Sequence, residues 1–153
     1  MNKDITLKEV PPLHSDLMSL IEKLDNELLE LCPSEGIFRV DFSDPKVNSM
    51  LFVVGYQDGT PVCCGGIRPL NDETVELKRF FVEKTYRKQG LASKVLAYLE
   101  TKAKEKGHLL MKLETGPERA DAIGFYKKSG FVETPLFGEY IGSKYSICFE
   151  KKF

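Results

Sequence analysis

The stretch Arg87-Lys88-Gln89-Gly90-Leu91-Ala92-Ser93 decides the fold, because it joins a predicted strand to a predicted helix. A β-rich run over 75–82 predicts the strand, and apolar residues at three- and four-residue spacing predict a helix over 92–106. The first amides of a helix lack partners within it and carry partial positive charge, so they bind anions. Gly90 allows close approach of the backbone, and the side chains that follow Leu91 are small. The stretch therefore predicts a phosphate-binding turn.

Neither common nucleotide motif fits this turn. It lacks the Gly-Lys-Ser/Thr ending of a P-loop and the three spaced glycines of a dinucleotide site. Its spacing, R-x-x-G-x-A after a strand, resembles the pyrophosphate loop of the GNAT superfamily, the acyl-CoA-dependent N-acetyltransferases. The resemblance covers roughly residues 52–149, including Glu-Leu-Lys-Arg before the loop and Ala-Ile-x-x-Tyr-x-x-x-Gly-Phe after it. We therefore expect an acetyl-CoA-dependent enzyme.

The remaining elements agree with this family in order. Apolar periodicity predicts an α/β (α+β) chain with helices over 15–31, 92–106 and 120–129, and strands over 2–9, 50–56, 61–67, 75–82, 109–115, 131–134 and 144–150. Ser15 or Asp16 is the expected N-cap of the first helix. Antiparallel strands followed by a strand-helix-strand unit imply a mixed, mostly antiparallel sheet flanked by helices. The resemblance implies that this sheet splits between strands 4 and 5.

Composition narrows the classes of protein further. A chain of 153 residues with 42% hydrophobic content fits one domain, here 1–153. A net charge of −1, with both signs mixed along the chain, argues against a nucleic-acid partner. No apolar run approaches the roughly 18 to 20 residues of a membrane span and the start is not a secretory signal, so we expect no membrane association and a cytoplasmic location. The four cysteines lack metal-ligand spacing, and we expect no metal.

Two residues are candidates for catalysis. Glu76 lies eleven residues before Arg87, where a subset of GNAT enzymes have a general-base glutamate, and alternation places it on the face of Lys78 and Phe80. The alternative is a structural ion pair between Glu76 and Lys78 or another cation. Tyr126 stands where GNAT enzymes use a tyrosine to protonate the coenzyme sulfur, a role that suits a phenol with a pKa of about 10. The alternative for Tyr126 is aromatic packing in the core.

The resemblance also implies the coenzyme site. Backbone groups of the strand before the loop would pair with the pantetheine arm and polarise the thioester, and the loop would hold the pyrophosphate; the residues concerned are Phe80, Phe81, Val82, Arg87, Lys88, Gln89, Gly90, Leu91, Ala92 and Ser93. Arg119 departs from the family pattern, since many members have asparagine there. An arginine cannot accept a hydrogen bond, so it would contact the coenzyme as a cation or remain solvated.

Recognition of the acceptor is the least defined part of the site. Arg68 and Arg79 could grip a carboxylate or phosphate, and Tyr140 could form a wall of the pocket, but each arginine could instead bridge to a neighbouring glutamate. We expect a small-molecule amine as acceptor, and a homodimer is an expectation of the family. Two rivals stay open: an acyl-CoA sensor without catalysis, and an acyltransferase with a different acyl donor or acceptor.

Overall fold

A single seven-stranded sheet organises the molecule. The structure is a computed structural model and describes residues 4–153. Its strands are β1 (Thr6–Val10), β2 (Leu51–Gln57), β3 (Thr60–Pro69), β4 (Thr74–Val82), β5 (Leu110–Thr115), β6 (Val132–Thr134) and β7 (Ile147–Lys152). In the sheet they lie in the order β1-β2-β3-β4-β5-β7-β6. Its helices are α1 (Ser15–Leu29), α2 (Leu91–Glu105) and α3 (Ala120–Lys128). All pairings are antiparallel except that of β4 with β5, and this confirms the predicted mixed sheet.

The predicted elements are present with ends moved by a few residues. Asn2 and Lys3, predicted to open the first strand, lie outside the described residues. The predicted N-cap of α1 is wrong, because His14 is the cap: its Nδ1 accepts a hydrogen bond from the amide of Asp16 at 3.2 Å. A histidine ring nitrogen can satisfy an orphan helix amide as a hydroxyl does, and the preference for Ser and Asp at caps did not anticipate it.

The two faces of the sheet carry separate cores. On one face α1 buries Leu17, Leu20 and Leu24 against β2 and Phe81 of β4. On the other face α2 buries its apolar stripe against β3, β4 and β5, with Leu99 fully buried. Burial of each helix stripe stabilises its attachment by about 1.5–3 kcal/mol for every large side chain. The sheet between the two layers is therefore fixed on both sides.

Strands β4 and β5 pair over only part of their length. The register joins Thr74 to Leu110, Val75 to Met111 and Glu76 to Lys112, and no further pairs follow within residues 4–153. Past Glu76 the two strands separate, so the predicted split between strands 4 and 5 is confirmed. The edge of β4 beyond this point faces an opening, because β5 no longer supplies ladder partners there.

A β-bulge in β4 changes which side chains share a face. Cys64 pairs with Phe81 and Gly66 with Lys78, so two residues of β4, Arg79 and Phe80, lie opposite one residue of β3. Arg79 has a positive φ of 53° and turns toward α1, while Phe80 turns toward α3. The predicted alternation, with Phe80 on the face of Glu76 and Arg79 opposite, is therefore wrong.

Candidate active site

A groove of about 340 Å³ runs along the start of α2 and the edge of β4. Gly90 caps α2 in the left-handed region at φ 80° with no side-chain capping bond, so the first amides of the helix remain available to an anion. Lys88 also has a positive φ, 64°, a conformation that is uncommon for a non-glycine residue and frequent at ligand sites. All the predicted coenzyme residues line this groove except Gln89.

Two arginines at the groove are held by one carboxylate of α1. Arg87 donates from Nε to the carbonyl of Val82 at 2.9 Å and from Nη2 to Glu27 Oε2 at 2.6 Å. Arg119 Nη2 lies 4.0 Å from the other oxygen, Glu27 Oε1. Arg87 follows β4 and Arg119 caps α3, so Glu27 ties the two sides of the groove to α1.

Tyr126 lies at the inner end of this groove. It is 6% exposed and packs edge-on against Phe131 and Phe125, with the Phe80 ring centroid 6.1 Å away. Burial raises the pKa of Tyr126 to about 12, and Arg119 opposes this shift. A phenol with that pKa stays protonated at neutral pH and is available as a proton donor.

A second, smaller cavity of about 80 Å³ lies between the separated strands and the end of α1. Phe80, Arg119 and Tyr126 line both this chamber and the groove, so the two spaces meet at these residues. The remaining walls come from α1, the segment after it, β4, β5 and Tyr140. A ligand in the groove and a second ligand in the chamber would therefore approach each other beside Tyr126.

Glu76 is buried in a network of donors. Its Oε1 accepts a hydrogen bond from Arg68 Nη2 at 2.6 Å, and its Oε2 accepts one from the Tyr140 hydroxyl and lies 3.9 Å from Lys78 Nζ. Lys78 also donates to the Tyr140 hydroxyl at 2.8 Å, and burial lowers the pKa of Lys78. Arg68 contacts Glu139 at 3.3 Å as well. This geometry favours the ion-pair alternative for Glu76. It also engages Arg68, a predicted acceptor-binding residue, in ion pairs with Glu76 and Glu139.

Arg79 is similarly occupied. Its guanidinium forms an ion pair with Asp25 of α1, and its side chain is almost fully buried. Asp25 also contacts Arg39 Nε at 3.4 Å. Tyr140 is the one predicted acceptor residue whose side chain is both a wall of the chamber and part of the Glu76 network; burial raises the pKa of its phenol.

Sequence reasoning missed Glu114, which lies in β5 beyond the split and lines the chamber. Its Oε2 accepts a hydrogen bond from Ser146 Oγ at 2.6 Å. Burial raises the pKa of Glu114 to about 7, although Ser146 and Lys78 lower it. From the sequence, Glu114 looks like a solvated side chain, because it occupies a polar position of an alternating strand. The signal that could have identified it was its position near the end of β5, beyond the point where β4 and β5 separate.

The groove has the features that a coenzyme A derivative requires. Its phosphate end has free helix amides, a Cβ built on Gly90 would meet no atom within 4 Å, and the unpaired β4 edge continues inward from it. Within residues 4–153 no group of three or more His, Cys, Asp or Glu could hold a metal ion. No helix in the same range is long and apolar enough to cross a membrane.

Comparison with known proteins agrees with this geometry. The model of the acetyltransferase (GNAT) family matches residues 17–131. The chain is 32% identical over 149 residues to an IAA acetyltransferase of Azospirillum brasilense, with 97% of each chain covered. It superposes with a TM-score of 0.82 at 26% identity on a Klebsiella pneumoniae protein described as an acyl-CoA N-acyltransferase, covering 97% of both. A GNAT family acetyltransferase of Elizabethkingia anophelis, solved with acetyl-CoA bound, has the same fold at TM-score 0.73 and 18% identity, covering 97% of this chain and 98% of that one.

Proposed function

Since the chain belongs to the GNAT family of acetyltransferases and is an acyltransferase enzyme, we propose that it transfers the acetyl group of acetyl-CoA directly to the amine of a small molecule. One observation carries this proposal. The groove that fits a coenzyme and the chamber that could hold an acceptor meet at Tyr126, so donor and acceptor can react without a covalent enzyme intermediate.

The groove would bind acetyl-CoA mainly through backbone groups of the protein. The amides of Leu91, Ala92 and Ser93 would bind the pyrophosphate at the start of α2, with Lys88 adding positive charge. The edge of β4 from Phe80 to Val82 would pair with the pantetheine arm as an added strand. Gln89 is the one residue of the loop that does not line the groove.

Acetyl-CoA supplies the acetyl group as a thioester. The chain contributes an amide of the β4 edge to polarise the carbonyl, and the Tyr126 hydroxyl to protonate the departing sulfur. The aromatic side chains that pack around Tyr126, including Phe80 and Phe125, would limit the access of water to the reacting end. Arg119 would contact the coenzyme arm as a cation once it leaves its 4.0 Å approach to Glu27.

The acceptor chamber limits the acceptor in size. At about 80 Å³ it is far smaller than a typical drug-sized pocket of roughly 300–1,000 Å³, so it admits the amine-bearing end of an acceptor. Leu24, Leu28 and Phe38 supply apolar walls, and Tyr140 is a further lining residue. A small aliphatic or aromatic primary amine fits this lining.

The experiment is acetyl transfer from acetyl-CoA to a panel of spermidine, tryptamine, glucosamine and an Nα-blocked lysine, followed by mass spectrometry of the amine. Appearance of one singly acetylated amine supports the proposal. Binding of acetyl-CoA without transfer to any amine would favour the sensor alternative. Transfer that is faster from propionyl- or butyryl-CoA would favour the alternative acyl donor.

A further inference from the structure

We propose that Glu114, and not Glu76, accepts the proton of the acceptor ammonium, and that Ser146 positions the Glu114 carboxylate. This inference rests on the proposed function and assigns a catalytic residue to the same site. It follows from three independent observations: the hydrogen-bond partners of Glu76, the place of Glu114 in the chamber, and the charges around it.

Both carboxylate oxygens of Glu76 are engaged within the protein. Both of its oxygens receive donors from within the protein, Arg68 on one and Tyr140 on the other, and Lys78 lies close to the second. With 1% exposure, the residue is also not among the residues that line the chamber. Proton transfer to this carboxylate would require breaking an ion pair, which costs far more than using a free carboxylate.

Glu114 has the opening that Glu76 lacks. It lies past the last β4–β5 pair, so its side chain borders the space between the separated strands together with Lys78 and Tyr126. Ser146 holds Oε2, and within residues 4–153 no hydrogen bond reaches Oε1. One oxygen is therefore fixed, and the other is available to an amine in the chamber.

The charges that face Glu114 come from several elements. Burial raises the pKa of Glu114 most, the Ser146 hydrogen bond and Lys78 lower it, and Glu76 and Glu139 raise it. The other titratable groups that line the chamber or lie opposite in β7 are Cys32, Arg79, Glu118, Arg119, Tyr126, Tyr140 and Cys148. A carboxyl group with a pKa of about 7 is matched to proton transfer at neutral pH.

The proton balance is complete with groups that are present. Glu114 carboxylate takes one proton from the ammonium and later releases it to water. The nitrogen lone pair then forms the bond to the acetyl carbon, and the carbon–sulfur bond breaks with its electron pair going to sulfur. Tyr126 protonates the sulfur, and the second proton leaving the new amide nitrogen restores the phenol through water. The net products are the amide, free coenzyme A and one proton.

The first test compares Glu114→Gln with Glu133→Gln, which removes a carboxylate from an exposed position on the edge strand β6. We expect Glu114→Gln to lower kcat/KM for the best amine of the panel by at least about 10²-fold, with acetyl-CoA binding and folding unchanged, and Glu133→Gln to match the wild type. The wild-type pH–rate profile should lose activity below about pH 7. An unchanged rate or profile in Glu114→Gln would overturn the inference.

The second test needs no turnover. In protein labelled with ¹³C at the glutamate carboxyl, Glu114→Gln identifies the Glu114 signal, which should titrate near pH 7. The hydrogen bond from Ser146 stabilises the ionised form of Glu114. Its removal in Ser146→Ala should therefore move this titration, and the acidic limb of the rate profile, to higher pH. A Glu114 signal that titrates near pH 4 would refute the assignment even if no amine of the panel reacts, while failure of transfer alone would count against the proposed function.

Discussion

Substitution Glu76→Gln separates a structural ion pair from a general base. It keeps the shape of a fully buried side chain but removes the charge that compensates Arg68 and Lys78. Breaking a buried pair costs about 3–5 kcal/mol when one charge is left unpaired. Arg68 is 29% exposed and retains Glu139 at 3.3 Å, so we place the loss just below that range, at about 2–3 kcal/mol.

Thermal unfolding measures this loss directly. For a chain of about this length, each kcal/mol shifts Tm by about 2–4 °C, so Glu76→Gln should lower Tm by about 4–12 °C. Glu139→Gln is the control, because it removes an exposed partner of the same arginine and should cost at most about 1 kcal/mol. The acidic limb of the pH–rate profile should persist in Glu76→Gln. A variant that unfolds like the wild type but has lost transfer would show that Glu76 is the base.

Three further predictions concern packing, the proton donor and pH. Gly66→Ala should lower the free energy of unfolding by about 1–3 kcal/mol in denaturant, because the added Cβ would lie 2.6 Å from Phe52 Cδ1. Gly124→Ala, whose Cβ would meet no atom within 4 Å, should raise it by up to about 1 kcal/mol. Equal effects of the two substitutions would contradict this packing. Tyr126→Phe should reduce kcat by about 10²-fold with the Kd for acetyl-CoA unchanged in calorimetry, and full activity would exclude it as the acid. Because the pKa of Glu114 is raised, the folded state binds a proton that the unfolded state has already released. As the pH rises from about 5 to about 8, the stability of the wild type should therefore fall relative to that of Glu114→Gln. Parallel curves of Tm against pH for the two proteins would contradict this.

The strand, turn and helix around Gly90 could be predicted from the sequence because their signals are local. A strand, a glycine-bearing turn and an amphipathic helix are all encoded within about thirty neighbouring residues, from Thr74 to Glu105, and Gly90 caps the helix in the left-handed region. The split could be predicted only through the family resemblance, since strand pairing is a long-range property. The bulge at Arg79 and Phe80 escaped detection because a strict two-residue alternation contains no sign of an inserted residue.

The roles of the charged residues could not be predicted for a different reason. Arg87 and Glu27 are 60 positions apart, and Glu76 and Tyr140 are 64 apart, so only the folded chain shows that they are partners. Glu114 was overlooked because its protonation depends on burial and on neighbours from other elements, including Ser146. Composition and spacing identify residues that are able to titrate, while the fold decides which of them do so near neutral pH.

The central claim is that the start of α2 binds the phosphates of acetyl-CoA. Calorimetric titration of acetyl-CoA into the wild type, Ser93→Glu and Ala97→Glu tests it most directly. Glutamate in the first turn suits the helix dipole, so Ser93→Glu should fold normally while placing a carboxylate in the groove; Ala97→Glu adds the same charge one turn further along α2, outside the groove lining. We predict micromolar binding to the wild type and Ala97→Glu, and binding at least about 10-fold weaker to Ser93→Glu, since about 1.4 kcal/mol of repulsion suffices for that change. No binding to the wild type, or equal binding to all three proteins, would contradict the account.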